Sequence, residues 1–325
     1  MLGIYNSLMT NTAKPDLVQL SHTLQSLDSE RVNAASERLD AMSPLEIATL
    51  MNAEDEKVAL AVQAVLPQIA KAIEAAAGAL QAGGRIIYIG AGTSGRLGVL
   101  DAAEVPPTFS ASPDLVIGLM AGGKDAMFRA QEGIEDNLAQ GAADLVAAKL
   151  TENDFVVGLA ASGRTPYVLG AVQKAREIGA ITASISCNEN SALAQACDIE
   201  ITPLVGPEIL SGSTRLKSGT AQKQVLNMIS TGAMVRIGKC YGNRMVDLNA
   251  SNEKLKARAV NLVSDLASCD KTSALKALQE ANWNIKAAIL AQKTGLSSEL
   301  AVKGIAEANG HLRHALDAIE KSGQN

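Results

Sequence analysis

The chain has 325 residues, 47% of them apolar and only 2% aromatic, with a net charge of −5. Its core must be built from Ala, Leu, Ile and Val, and its length suits one large domain with an appendage. The negative charge and the scarcity of aromatics argue against a general nucleic-acid binder, which needs a basic face and stacking surfaces.

The opening stretch MLGIYNSLMTNTAKPD has no basic start and no sustained apolar run, so it does not read as a signal peptide. Residues 1 to about 83 read as helix. Ser43 stands three residues before Glu46, the capping-box spacing. Apolar positions then recur at helical intervals. Gly83-Gly84 closes the run, as glycine often does at a helix C-terminus.

From residue 84 the pattern changes. RIIYIG, DLVIGLM, DFVVGLA, ITASIS and IEITPLV are short Ile- and Val-rich runs, most of them separated by helix-patterned or loop segments. Continuous apolar strands alternating with helices predict an α/β fold with a parallel sheet covered on both faces. Ligands in such sheets sit beyond the carboxyl ends of the strands. Three of those ends carry small polar residues: GAGTSGR (90–96), AASGRTP (160–166) and GPEILSGSTRLKSGT (206–220). A long helix, roughly Thr214 to Lys239, is expected after the last.

From about residue 270 short helices dominate. EANWNIKAAI (280–289) and EANGHLRHAL (307–316) form a weak repeat offset by 27 positions. The expected organisation is a helical segment over 1–83, an α/β domain over 84–262 and a small helical bundle over 268–325. The bundle carries no reactive cluster and reads as packing or oligomer support. No apolar run reaches membrane-spanning length. Cys187, Cys197, Cys240 and Cys269 form no C-x-x-C pair, so reduced thiols are expected. A soluble cytoplasmic protein follows as the expectation, with no membrane partner.

Gly90, Gly92 and Gly95 stand in G-x-G-x-x-G spacing. A dinucleotide site would add an acidic residue at the end of the next strand. That strand ends in AGGK, and no G-x-x-x-x-G-K-[ST] motif is present, so the nicotinamide and ATP readings are demoted. Thr93, Ser94 and Gly95 still fall where a strand turns into a helix, a place suited to an anion. Ser162, Gly163, Arg164 and Thr165 repeat that chemistry, with Pro166 opening the next helix. Each loop alone also reads as a tight turn with capping hydroxyls. Two such loops, with Ser211, Ser213 and Thr214 beyond a third strand, favour a phosphate and several sugar hydroxyls.

Asp101 and Glu104 are three apart on a helix and so share a face. Pro106 disfavours helix at Val105, which predicts Glu104 in the last turn. There the helix pole and partial burial would keep its carboxyl protonated, as a general acid requires. From spacing alone, an ordinary solvated helix-end glutamate is the better reading. Glu132 and Glu135 lie in FRAQEGIEDN, a helix-like stretch whose charges read first as a solvated face. His22, His311 and His314 are remote from these loops. His311 and His314 lack a third ligand, so no metal is expected, and no His-activated serine is apparent.

YIGAGTSGRLGVLDAAEVPPTF, AGGKDAMFRAQEGIEDN, GLAASGRTPYVLGA and GPEILSGSTRLKSGTAQKQVLNMIS closely resemble the N-acetylmuramic acid 6-phosphate etherases, in the sugar isomerase (SIS) superfamily. The resemblance runs from about Glu30 to about Val260. GNRMVDLNASNEKLKARA fits too, and the tail resembles the ubiquitin-associated-type bundle of those enzymes. The front departs: RVNAAS (31–36) stands where the family usually reads Arg-Asn-Pro.

The resemblance implies a five-stranded parallel SIS sheet, a homodimer, no cofactor, and cleavage of the ether between C3 of the sugar and D-lactate. By motif it makes Glu104 the acid and matches the second catalytic glutamate to Glu135. Phosphate is expected on Ser94, Ser162 and Thr165, with Ser211 and Ser213 as further candidates. Arg96, Arg164 and Lys217 are candidates for the lactyl carboxylate. Glu208 is either a sugar ligand or a helix cap. Two rivals remain: a non-catalytic phosphosugar-binding regulator like the glucokinase regulatory proteins, and an aldose–ketose phosphosugar isomerase. The regulator is expected to carry a second SIS domain, whereas this chain shows one set of loops. The glutamate before the double proline, read through the family, favours the etherase over the isomerase.

Overall fold

The computed structural model describes residues 28–322. The helix expected over the first 27 positions, and His22 with it, lie outside the described residues. From Asp28 to Ala41 the chain makes three short 3-10 turns instead of the expected helix. α1 (Pro44–Gln63) begins at the expected capping box: the Ser43 hydroxyl accepts from the Glu46 N–H, and the Glu46 carboxylate accepts from the Ser43 N–H at 2.7 Å. The run then breaks by 63° before α2 (Leu66–Gln81). Pro67 has no N–H to give the Gln63 carbonyl, which favours a break there. No single described helix is long and apolar enough to cross a membrane.

The five apolar runs become β1 (Ile86–Gly90), β2 (Val116–Met120), β3 (Phe155–Leu159), β4 (Ile181–Ile185) and β5 (Ile199–Ile201). They pair in parallel in the order β2-β1-β3-β4-β5. Side chains alternate across the sheet as the pleat requires. Ile86, Tyr88, Val157 and Leu159 enter one apolar core; Ile87, Ile89, Val156 and Ala160 enter another on the opposite face. The first core is closed by α1, α2, α3 (Gly92–Phe109) and α8 (Lys217–Arg236). The second is closed by α5 (Leu138–Ala147), α6 (Pro166–Ile178) and α7 (Ala192–Ala196). α4 (Gly123–Phe128) is a short helix after β2. The expected doubly wound α/β architecture is present.

A third core gathers Val246 with α9 (Glu253–Ala267), α10 (Lys271–Glu280), α11 (Ile285–Thr294), α12 (Ser298–Glu307) and α13 (Leu312–Ser322). The weak repeat is a repeated helix–turn–helix. Asn282 and Trp283 have φ of 50° and 63°; Asn309 and Gly310 have 50° and 80°. Trp283 N–H reaches the Leu278 carbonyl at 2.7 Å, and Gly310 N–H reaches that of Ile305 at 2.8 Å. The same turn is thus built twice, once with tryptophan where the other copy uses the more permissive glycine.

Candidate active site

In a sheet of this order, the chain leaves β1 and β3 toward opposite faces, and a crevice opens between their carboxyl ends. Both Ser-containing loops lie there. Gly90 and Gly95 let α3 abut the end of β1: a Cβ on Gly95 would lie 2.7 Å from Met120 Cβ and 2.8 Å from the Gly90 oxygen. At the second loop Gly163 has φ +66°, and a Cβ there would collide with Ser191. Its N–H donates to the Ala160 oxygen and its carbonyl accepts from Leu193, each at 2.9 Å.

The helices opening at this crevice lack side-chain caps, as do α2 and α4 elsewhere in the chain. α1, α5, α7, α9, α10, α11 and α12 are all capped by a side chain. α3 has Ala91 at its N-cap and no side-chain cap; Thr165 precedes α6 and makes no capping bond. Two helix poles without side-chain caps thus open beside the β1/β3 switch point, where a helix pole favours an anion. Thr93 and Ser94 lie in the first turn of α3, half-buried and buried respectively. Ser162 is half-buried and its hydroxyl accepts from the Arg164 N–H at 3.3 Å; the Arg164 side chain is exposed.

The third loop behaves differently. Glu208 is fully buried, and its carboxylate accepts from the N–H groups of Lys217 and Ser218 and from the Ser218 hydroxyl, each at 3.0 Å. Of the two roles open for it, it fills that of helix cap: an internal carboxylate already occupies the N-terminus of α8. Ser211 donates to the Arg31 oxygen at 3.0 Å, and Gly212 N–H to that of Ser29. This loop is tied to the segment before α1. The start of α8 still reaches the first loop, because Gly219 lies beside Thr93 and Leu97. Thr214 adjoins it, its carbonyl accepting from the Gly219 N–H, while Ser213 accepts likewise from Leu216.

The candidate cations are distributed away from a common point. Arg96 spends its guanidinium on the carbonyls of Met127 and Ala126, at 3.0 and 2.7 Å. Lys217 is buried against Glu54, Nζ to Oε2 2.5 Å. Burial pushes the Glu54 carboxyl up, but Lys217 and Lys57 outweigh it and hold it below its usual value.

α3 does not stop before Pro106. It continues through Pro106 and Pro107 to Phe109, so Glu104 is not in the last turn. The prolines withhold N–H groups from the carbonyls of Ala102 and Ala103. Burial of Val105 and Phe109 holds the turn regardless. Glu104 is exposed, with no buried environment of the kind expected. Asp101, on the same face, is buried and accepts from Asn227 at 2.6 Å and Ser230 at 3.2 Å. The two carboxylates line a crease of about 310 Å³ between α3 and α8, with Leu97, Leu100 and Lys223.

FRAQEGIEDN is not helical throughout. α4 ends at Phe128, Gly133 turns the chain at φ +79°, and Glu135 sits half-buried in a 3-10 turn, Ile134–Asp136. That turn packs against α6, the helix opening at the second loop. No hydrogen bond or ion pair joins Glu104 to Glu135 among the described residues. A cavity of about 1010 Å³ runs along β2 past Met120, Phe128 and Ile134 and is lined by none of the expected site residues.

Sequence reasoning missed three polar residues around the crevice. Gln222 receives the Ser94 hydroxyl at 2.9 Å. Asn188, at the end of β4, donates to the Ala161 oxygen at 2.9 Å and to Ser29 Oγ at 3.2 Å. Glu54 partners Lys217. Their only signals are polar residues on otherwise apolar faces. The thiols are poor nucleophiles: burial pushes Cys187 and Cys197 up to about 12. Among the described residues no three metal-ligating groups converge; His311 and His314 stack on each other at 4.5 Å.

A five-stranded parallel sheet in this order, flanked by helices on both faces, is an SIS-type fold. Residues 137–232 match the SIS domain model, and residues 68–176 match the glucokinase regulatory protein N-terminal SIS domain. Residues 242–303 match the C-terminal lid domain of glucokinase regulatory protein. The chain is 53% identical over 293 residues to the N-acetylmuramic acid 6-phosphate etherase of Aliivibrio salmonicida, covering 90% of this chain and 98% of that one. It is 54% identical to the etherase of Serratia proteamaculans, covering 90% and 99%. The chain belongs to the N-acetylmuramic acid 6-phosphate etherase family. It is also similar to a solved phosphoheptose isomerase from Neisseria gonorrhoeae, with a TM-score of 0.47 and 16% identity over 59% of this chain and 100% of that one.

Proposed function

We propose that this chain cleaves the C3 D-lactyl ether of N-acetylmuramic acid 6-phosphate, giving N-acetylglucosamine 6-phosphate and D-lactate in cell-wall muropeptide recycling. The observation that carries the reading is the pair of uncapped helix poles at the β1/β3 crevice, each beside a serine. Ser94, Ser162 and Thr165 hold the phosphate there, with the N–H group of Thr93 nearby and Gly95 and Gly163 shaping the two loops. Arg164, exposed at the rim, is left as the cation for the lactyl carboxylate.

In the ring-opened sugar the C1 aldehyde acidifies the C2 proton. Glu135 takes that proton, the C2–H electrons form the C2=C3 bond, and the C3–O bond breaks. Glu104 protonates the departing lactate oxygen. Water then adds at C3 of the unsaturated aldehyde and a proton returns to C2. Two carboxyls in opposite protonation states suffice for this sequence.

Glu104 lies twelve residues after Gly92 on α3, roughly 18 Å along the helix at 1.5 Å per residue. That is farther than one sugar phosphate spans. Glu104 therefore serves the crevice of a second copy, and the working unit is a homodimer whose sites are shared. The exposed Leu100, which lines the Glu104 crease, supplies apolar surface for that contact. The bundle over 268–325 supplies packing rather than chemistry.

Reaction in ¹⁸O-water tests the chemistry. Elimination and addition put the label on the C3 hydroxyl of the aminosugar and none in the lactate. Label in lactate would mean attack on the lactyl carbon instead, and absence of turnover would leave a sugar-phosphate binder.

A further inference from the structure

Gln222 lies on the second turn of α8, 1% exposed, facing the first turn of α3. Its carboxamide meets the Ser94 hydroxyl at 2.9 Å, Oε1 to Oγ. The other end, Nε2, is buried without a hydrogen-bond partner among the described residues. Ser94 is itself 8% exposed, at an uncapped helix pole. A buried amide donor without a partner is rare and costly in a folded chain.

The chemistry of the pair depends on which end of the amide faces Ser94. With Oε1 inward, the Ser94 proton is given to Gln222 and the serine offers only lone pairs, which repel a phosphate dianion. With Nε2 inward, Gln222 donates to Ser94 Oγ and the serine proton is released to point outward. The second arrangement moves the unpaired end from a donor to a carbonyl oxygen, which tolerates it better. It also makes a chain, amide N–H to hydroxyl to phosphate oxygen, in which each bond polarises the next.

We propose that Gln222 is a positioning residue for the phosphate: bound phosphate selects the amide orientation in which Nε2 donates to Ser94, turning that hydroxyl into a donor. The inference rests on the placement of the phosphate at Ser94 argued above. Gln222 acts through Ser94 and does not touch the reacting carbons. Its removal is therefore expected to raise KM for the phosphorylated sugar and leave kcat within about twofold.

The test is a double-mutant cycle in the full chain, with N-acetylglucosamine 6-phosphate titrated calorimetrically. Ser94→Ala and Gln222→Met are each expected to weaken binding by about tenfold, the value of a hydrogen bond to a charged group. The double variant is expected to bind no more weakly than Ser94→Ala alone. Gln222→Glu keeps the shape but only accepts, so it is expected to weaken binding further than Gln222→Met, and it serves if Gln222→Met fails to fold. Wild-type affinity in both Gln222 variants, or losses that add in full to that of Ser94→Ala, would overturn the inference while leaving the phosphate site standing. Wild-type affinity in Ser94→Ala would overturn the phosphate placement itself and this inference with it.

Discussion

Lys217 Nζ and Glu54 Oε2 stand 2.5 Å apart, with 3% and 6% of their side chains exposed. The pair ties the middle of α1 to the first residue of α8, whose N–H is held in turn by Glu208. The helix that carries Gln222 to Ser94 is thus anchored by buried charge.

Breaking such a pair leaves one charge uncompensated. Glu54→Leu or Lys217→Met alone is expected to destabilise the fold by about 3 kcal/mol. The double variant, with two apolar side chains, is expected to recover most of the loss. Urea midpoints of the four proteins measure this. Equal and additive losses would mean that the two residues stabilise the chain independently.

Acid dependence follows from the same carboxyl and from Asp154. Burial pushes Asp154 up, but the Arg85 guanidinium and the Thr151 N–H hold it below its usual value. A carboxyl with a lowered folded pKa stabilises the fold fully above its unfolded pKa, about 4. That contribution is lost as pH falls through the folded value. Stability is expected to be insensitive to these groups near neutral pH and to drop below about pH 4. Asp154→Asn should lower stability at pH 7 and flatten the acid limb, as read from denaturation midpoints across pH.

Gly163 and Gly78 should respond oppositely to alanine. At Gly163, φ is +66° and a Cβ collides with Ser191, so the second loop must move. KM for the sugar phosphate is expected to rise about tenfold or more, since small displacements of a positioning loop are expensive. At Gly78, exposed on α2, a Cβ meets nothing within 4 Å. Gly78→Ala is expected to stabilise by up to about 1 kcal/mol and leave kinetics unchanged.

Glu104→Gln separates the two halves of the reaction. Lactate release is expected to fall at least about 100-fold, the usual worth of a positioned general acid. Exchange of the C2 proton in deuterated water should persist, because the proposed base, Glu135, is intact. Glu135→Gln should abolish that exchange. Mass spectrometry of recovered substrate distinguishes the two, and a reversed pattern would exchange the roles.

Much of this was legible in the chain. Each strand is an Ile- or Val-rich run bounded by polar or glycine residues, and all five lie within the expected runs. The two phosphate-type loops were visible because glycine and hydroxyl residues follow those runs directly. Local rules failed where tertiary packing prevailed. Pro106 predicted the end of α3, yet Phe109 and Val105 are buried and keep the helix going. Gly133 broke a charged stretch that read as helical. Pro67, at the start of a second helix, marked a break that apolar periodicity concealed. Glu208 and Gln222 act across 9 and 128 positions, on Lys217 and Ser94, where no spacing rule operates.

D-lactate release by mixed dimers tests most directly the proposal of an active site shared between two copies. Glu104→Gln and Glu135→Gln copies are each expected to be silent alone with N-acetylmuramic acid 6-phosphate. After unfolding and refolding together, half of the dimers are mixed and one of their two sites is intact. Release is then expected to return to about a quarter of the wild-type rate, and only with the phosphorylated sugar. A mixture as silent as its components would mean that Glu104 and Glu135 serve one crevice of the same chain, and would contradict a site built from two copies.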